Sequence, residues 1–309
     1  MKKILSQCFI LTLLLIGILN VYASTPPDSP NTTREINIEK KFTGLKSHAA
    51  LEIIYTQNDL PSKALIQGPK DIIDGMTWKV DSNGDLSFQY PKNKKIKSGK
   101  IVIKLNGGPL YNYDVSSSGI LKITTPVICN KTLNFVASSA GRIQFLKKVD
   151  TSESSLNIVT SSSGQIVFAV PVNGNTMNLT ASSSGMVTVP SLSLNSLNYA
   201  GSSTGMLEVG NLKLKNASIS LSSGGEANFK DIFSETISIS ASSGSEFKCK
   251  NITTNNMSLS VSSAGTISVG GKCITASMVA SSGGTINSQN MKIERIKSQH
   301  VSSNGKIKL

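Results

Sequence analysis

Aromatic residues are scarce in this 309-residue chain: nine Phe, six Tyr and one Trp, 5% of the total. That leaves little for a core built around large rings. Histidine is scarcer. His48 and His300 are its only members, over 250 residues apart, and neither stands beside a nucleophile motif, so both read as surface residues and not as members of a catalytic triad. Charged residues make up 16%, and mean hydropathy is close to zero (−0.01), which excludes a disordered acidic or basic tail protein. The formal charge is nevertheless +13, from 31 Lys+Arg against 18 Asp+Glu. Long apolar runs are missing apart from Ile4–Leu19. Lys2 and Lys3 precede that run and Val21-Tyr22-Ala23 follows it, so residues 1–23 read as a secretory signal peptide cut after Ala23. A membrane anchor is the alternative, but the run is short for spanning and is interrupted by Ser6, Gln7 and Thr12. No later segment is apolar and long enough to cross a bilayer, so the expectation is an exported protein, not an integral membrane protein.

Of four cysteines, Cys8 lies in the leader, leaving Cys129, Cys249 and Cys273. Their spacing matches no metal site, and an odd number cannot pair fully. They read as small apolar core residues, with a Cys249–Cys273 bridge left open.

Serine is what the chain has in excess. There are 49, and 41 of them follow residue 105. From Ser116 the tetrapeptide Ser-Ser-x-Gly occurs ten times, its fourth position at Gly119, Gly141, Gly164, Gly185, Gly205, Gly225, Ser245, Gly265, Gly284 and Gly305. Steps of 19 to 23 residues mark a structural repeat, not a low-complexity tract. Two and four residues past the fourth position the side chains are apolar in nearly every copy, as in Ile143/Phe145 and Ile166/Phe168, with mostly polar residues between. Eight and six residues before it stand pairs such as Leu133/Phe135 and Leu156/Ile158. Both patterns have a period of two and predict short strands with one buried face. A third apolar pair, for example Leu192/Leu194, occupies the connection in several copies.

Two or three strands in about 20 residues bury nothing alone. Stacked coil on coil they share one core, so the expected fold is all-β: a three-sided, right-handed parallel β-helix of about ten coils, rising ~4.8 Å per coil. In this reading the repeat glycine supplies the positive φ of a corner, and the serines stack there and bond across turns. Asn112, Asn134, Asn157, Asn178 and Asn198 share one column and predict an Asn ladder. The organisation is a signal peptide (1–23), a linker (24–33), a β-rich head or cap (34–105) and the repeat helix (106–309). Within the head, strands are expected at 36–38, 51–55, 64–67, 77–80, 86–90 and 101–105, with a turn at Asp81-Ser82-Asn83-Gly84-Asp85.

Chemistry-bearing groups are few. Glu226 and Glu246 each follow the fourth position of their repeat and should stack about 5 Å apart on adjacent coils. That separation resembles a retaining glycosidase pair or a cation site; the competing reading is an exposed outer column. Lys92, Lys94, Lys95, Lys97 and Lys100 form the densest charge run, read either as an anionic glycan or head-group contact or as a solvated loop. With no aromatic platform near these lysines, nucleic acid is not an expected partner. No phosphate loop, EF-hand or metal-ligand spacing is present, so no cofactor is expected.

Phe42-Thr43-Gly44-Leu45, Leu51-Glu52-Ile53-Ile54-Tyr55-Thr56-Gln57, Gln67-Gly68-Pro69 and Asp85-Leu86-Ser87-Phe88 follow one another in an order that, with the Ser-Ser-x-Gly coils, resembles one family over residues 34–309. That family is the putative auto-transporter adhesin, head GIN domain, common in exported proteins of Bacteroidetes. The resemblance implies a β-helix outside the cytoplasm and an adhesin-like role, and it brings no catalytic residues. The expected function is a non-catalytic cell-envelope adhesin or glycan-binding module, periplasmic, outer-membrane-associated or extracellular. A polysaccharide lyase or hydrolase and a purely structural envelope component are the alternatives.

Overall fold

The computed structural model describes residues 31–91 and 100–309. The signal peptide, most of the linker and Lys92, Lys94, Lys95 and Lys97 therefore lie outside the described residues. What is described is a β-solenoid of about ten turns, with strand on three faces of most repeat coils. One parallel ladder joins the segments ahead of the Ser-Ser-x-Gly turns, such as 133–137 with 156–160. A second joins those just after them, such as 142–145 with 165–168. A third runs through the connections, such as 211–213 with 231–233. The period-two columns point inward as expected: Ile143, Phe145, Ile166 and Phe168 are buried, while Arg142 is exposed and Gln144 half-exposed. Each such Ile, Leu or Phe contributes roughly 1.5–3 kcal/mol of burial.

The few aromatics are not scattered. Phe135 and Phe145 lie 4.8 Å apart between facing sheets, Tyr113 is 5.1 Å from Phe135, and Phe168 stacks on Phe145 at 4.8 Å and 10°. One ring cluster thus fills the first repeat coils, next to the head, and a smaller pair, Phe229 and Phe247 at 5.7 Å, lies further along.

The corner differs from the sequence reading. The fourth-position glycines do not have positive φ; the second and third residues do, for example Ser117 (53°) and Ser118 (59°), or Ser263 (47°) and Ala264 (60°). Gly119 N donates to Ser116 O at 3.0 Å, closing a turn of the I′ kind whose central residues are both left-handed. The glycine is needed because coils touch there. A Cβ on Gly164 would lie 2.0 Å from Ala137 O, and one on Gly205 would lie 2.1 Å from Ala181 O. The ladder continues through the turns by backbone bonds, Ala140 N to Ser162 O and Ser163 N to Ser183 O, both 3.0 Å. Serine hydroxyls add less than expected; Ser184 meets Thr204 Oγ1 at 2.9 Å. At the one exception, buried Ser245, the hydroxyl accepts from Ser242 N at 2.9 Å.

Third-position residues hold left-handed φ at a cost of roughly 1–2 kcal/mol when they carry a Cβ. Glycine already occupies that position at 224, 244 and 283. Ala264→Gly is therefore expected to stabilise the protein by about 0.5 kcal/mol after the chain-entropy penalty of glycine. A thermal melt checks the sign, and an unchanged or lower Tm counts against this account of the turn.

The head contains β1 (Asn31–Asn37), β2 (Gly44–Ser47), β3 (Glu52–Gln57), β4 (Lys63–Pro69), α1 (Lys70–Ile73), β5 (Thr77–Val80), β6 (Asp85–Gln89) and β7 (Val102–Gly107). The repeat then opens with β8 (Asn112–Val115) and β9 (Ile120–Ile123). β1 begins at Asn31, so the last residues of the stretch read as linker are strand, paired antiparallel with β4. β2 and β3 form a coil without the turn motif, parallel to β8 and β9 on one side. On its other side lie β6 and β7, also parallel. Antiparallel β4 and β5 flank β7 and β6, and β1 pairs with β4. Arg34 of β1 donates to the carbonyls of Ile73, Asp74 and Met76 at 2.9–3.1 Å, capping α1, with its guanidinium 5.5 Å from the Trp78 ring centre. In the predicted turn, Gly84 has φ +81°, and Asp81 Oδ1 accepts from Asn83 N at 2.8 Å. Lys46 bridges Asp81 and Asp85, both at 2.8 Å, and its hydrogen bond holds the Asp81 carboxyl down at about 2.

Candidate functional site

Outward residues at the corner between the second and third ladders form a groove of about 810 Å³. It crosses seven coils, from Phe168–Ala169 to Asn287–Asn290, a run of about 29 Å at the coil spacing. Its floor is the last turn of the second-ladder strands, where buried Val209, Phe229, Cys249 and Val269 reach the surface only at their edges. One wall is the polar column Thr188, Glu208, Asn228, Lys248, Ser268 and Asn287. The corner itself is lined by Pro190, Gly210, Lys230, Lys250 and Gly270. Gly210 permits the coils to approach there, since a Cβ would lie 2.3 Å from Pro190 O. Burial pushes the Cys249 thiol up to about 12, so it offers no thiolate to the groove. The sequence patterns did not single out this groove. Its signal was present in the third and fifth residues past each fourth position, which turn polar or small on consecutive coils.

The strand register pairs Glu226 directly with Glu246, so these carboxylates do occupy adjacent coils. Both are half-exposed, in line with Met186 and Met206. Lys248 Nζ sits 2.6 Å from Glu246 Oε2 and ties up that carboxylate. Of the lysine run, Lys100 is described, and its amine pairs with the buried carboxylate of Glu52, which Lys122 also contacts at 2.7 Å. Burial lowers the Lys100 pKa. His48 Nε2 lies 2.9 Å from Asp114 Oδ2, and His300 is exposed on the last coil. Cys249 and Cys273 are free and buried, without the bridge left open above; their thiols face carbonyls, Cys273 Sγ to Thr275 O at 3.1 Å. The Asn ladder forms from Asn112 through Asn198, each amide bonded to the next at 2.9–3.0 Å. Among the described residues no three His, Cys, Asp or Glu side chains gather as a metal site, and no helix is long and apolar enough to cross a membrane. A second cavity, of about 720 Å³, adjoins the head, where Lys131 lies 4.8 Å over the Tyr111 ring.

A head of paired strands closing a parallel solenoid of about ten turns, with a groove along its outside, places the chain in the β-solenoid class. Residues 41–231 and 218–309 match the family model described as putative auto-transporter adhesin, head GIN domain. The chain belongs to that family. Among solved structures, it is similar to a "putative adhesin" from Parabacteroides merdae ATCC 43184, at TM-score 0.51 and 14% identity, covering 89% of this chain and 97% of that one. A "putative lipid binding protein" from Parabacteroides distasonis ATCC 8503 aligns at TM-score 0.44 and 20% identity, over 92% and 98%. A "putative adhesin" from Bacteroides fragilis NCTC 9343 aligns at TM-score 0.40 and 15% identity, over 91% and 98%. No protein of curated function matches the chain.

Proposed function

We propose that this protein is a non-catalytic binding module of the cell envelope, in which the corner groove holds an extended ligand, a polysaccharide or another cell-surface polymer. The groove itself carries the reading: it runs along the solenoid axis for seven coils, a shape suited to a chain and not to a compact metabolite. Family membership supports an adhesin-like, exported role, and the signal-peptide pattern read in residues 1–23 of the sequence agrees with export. Lys92, Lys94, Lys95 and Lys97 remain a competing contact for an anionic surface. The enzyme alternative rests on Glu226 and Glu246; the lysine held by Glu246 favours a charge-balanced outer column instead.

A glycan array with and without calcium, followed by a cleavage assay on each hit, tests this reading. Saturable binding without cleavage is expected. Asn228→Trp, which places a ring in the middle of the groove from an outward strand position, should weaken binding at least tenfold while leaving circular dichroism unchanged. Cleavage abolished by Glu226→Gln or Glu246→Gln would replace the proposal with a polysaccharide-active enzyme. Silence across the array would favour a structural role.

A further inference from the structure

The groove carries positive charge that its own residues do not neutralise. Lys230, Lys248 and Lys250 line it against one carboxylate, Glu208. Lys248 is paired with Glu246. Lys230 reaches Asp231 only at 3.9 Å, and Asp231 is also bound by Asn251 Nδ2 at 2.8 Å. Lys250 has no ion pair among the described residues. The register sets Phe229 opposite Cys249 and Asp231 opposite Asn251, so exposed Lys230 and Lys250 stand side by side on adjacent coils, about 4.8 Å apart at the backbone. Like charges so placed oppose each other, and an anion between them relieves the repulsion.

Resting on the groove reading, we infer that the ligand is an acidic polysaccharide, its carboxylate or sulfate groups seated on Lys230 and Lys250. Asn228, Ser268, Asn287 and Asn290 present amides and a hydroxyl along the same channel, the groups that hydrogen-bond sugar hydroxyls. Other polyanions fit less well. A flat membrane surface does not reach the floor of a groove. A strand-adding peptide finds no free edge, because the backbone there is paired on both sides. A nucleic acid strand lacks a stacking platform, since Phe229 is only 5% exposed.

Binding of the full chain to polygalacturonate, dextran sulfate and neutral dextran, read by calorimetry, tests the assignment. At least one acidic polymer should bind at least tenfold more tightly than neutral dextran, with affinity falling as salt rises. The double variant Lys230→Gln/Lys250→Gln should lose at least tenfold in affinity, and Lys230→Arg/Lys250→Arg should retain it. Equal binding of the neutral polymer that Asn228→Trp still blocks would overturn the charge assignment and keep the groove. Acidic binding that ignores Asn228→Trp but disappears when Lys92, Lys94, Lys95 and Lys97 are changed to Gln would overturn both. No binding to any of the three polymers overturns the inference.

Discussion

Gly164→Ala is expected to cost at least about 4 kcal/mol, beyond the usual range of a single added methyl. The added Cβ would meet Ala137 O at 2.0 Å, Ala137 C at 2.3 Å and Ser138 N at 2.6 Å. All three are backbone atoms, so no side chain can swing aside. The coils have to part, which stretches Ser161 N to Ala137 O (3.0 Å) and Gln165 N to Gly141 O (2.8 Å). Because a solenoid is held together by neighbour-to-neighbour contacts, hydrogen exchange should show the loosest amides at 138, 161 and 165, along with a lower denaturation midpoint. Ser245→Gly is the matched control: it removes one hydroxyl–amide bond and should cost only about 1 kcal/mol. If Gly164→Ala were as mild as that control, close approach would not be why glycine recurs in this column.

Phe145→Ala should destabilise by about 3–5 kcal/mol. Phe145 is fully buried, with Phe135 and Phe168 each 4.8 Å away and Tyr113 at 5.7 Å. Truncation therefore leaves a cavity bounded by rings on three sides and loses the stacked contact. Strands locked in parallel ladders on every face give these neighbours little room to collapse inward. Urea unfolding measures the cost, and Phe145→Leu, which keeps most of the volume, should recover much of it. A loss under about 1 kcal/mol would mean that the interior repacks freely.

How much of this was legible beforehand differs from element to element. The inward columns, the two principal strands per coil and the Asn ladder follow from period-two alternation locked to a fixed step, a pattern that stacking alone explains. The role of the corner glycine was not legible. Glycine serves both positive φ and close approach, and the sequence does not say which; serine and alanine at left-handed positions ran against the simpler rule. Six of the seven head strands were readable one by one; β2, only four residues long, was not, and neither was their order in the stack, because pairing partners there are not sequence neighbours. The groove was missed because it arises from the angle between two ladders and is lined by residues of no common type. The pairing of Glu226 with Glu246 on adjacent coils follows from the 20-residue step, whereas the ion pair of Lys248 with Glu246 depends on side-chain reach along the strand, which the columns do not encode.

The stacking order at the head has a kinetic side. The coil of β2 and β3 lies between one made from residues 85–107 and one made from residues 112–123. Both of its neighbours are thus synthesised after it. A chain leaving the ribosome or a translocation pore cannot complete this coil until about residue 123 has emerged. From there on, each new coil is laid against the one before it, across a loop of only about 20 residues, at a loop-closure cost that stays nearly constant. The head is therefore the slow, non-local step of assembly, and the repeats are its fast, directional extension. A lesion in the head should delay the appearance of the whole rod, whereas one in a late coil should stop growth only from that coil onward.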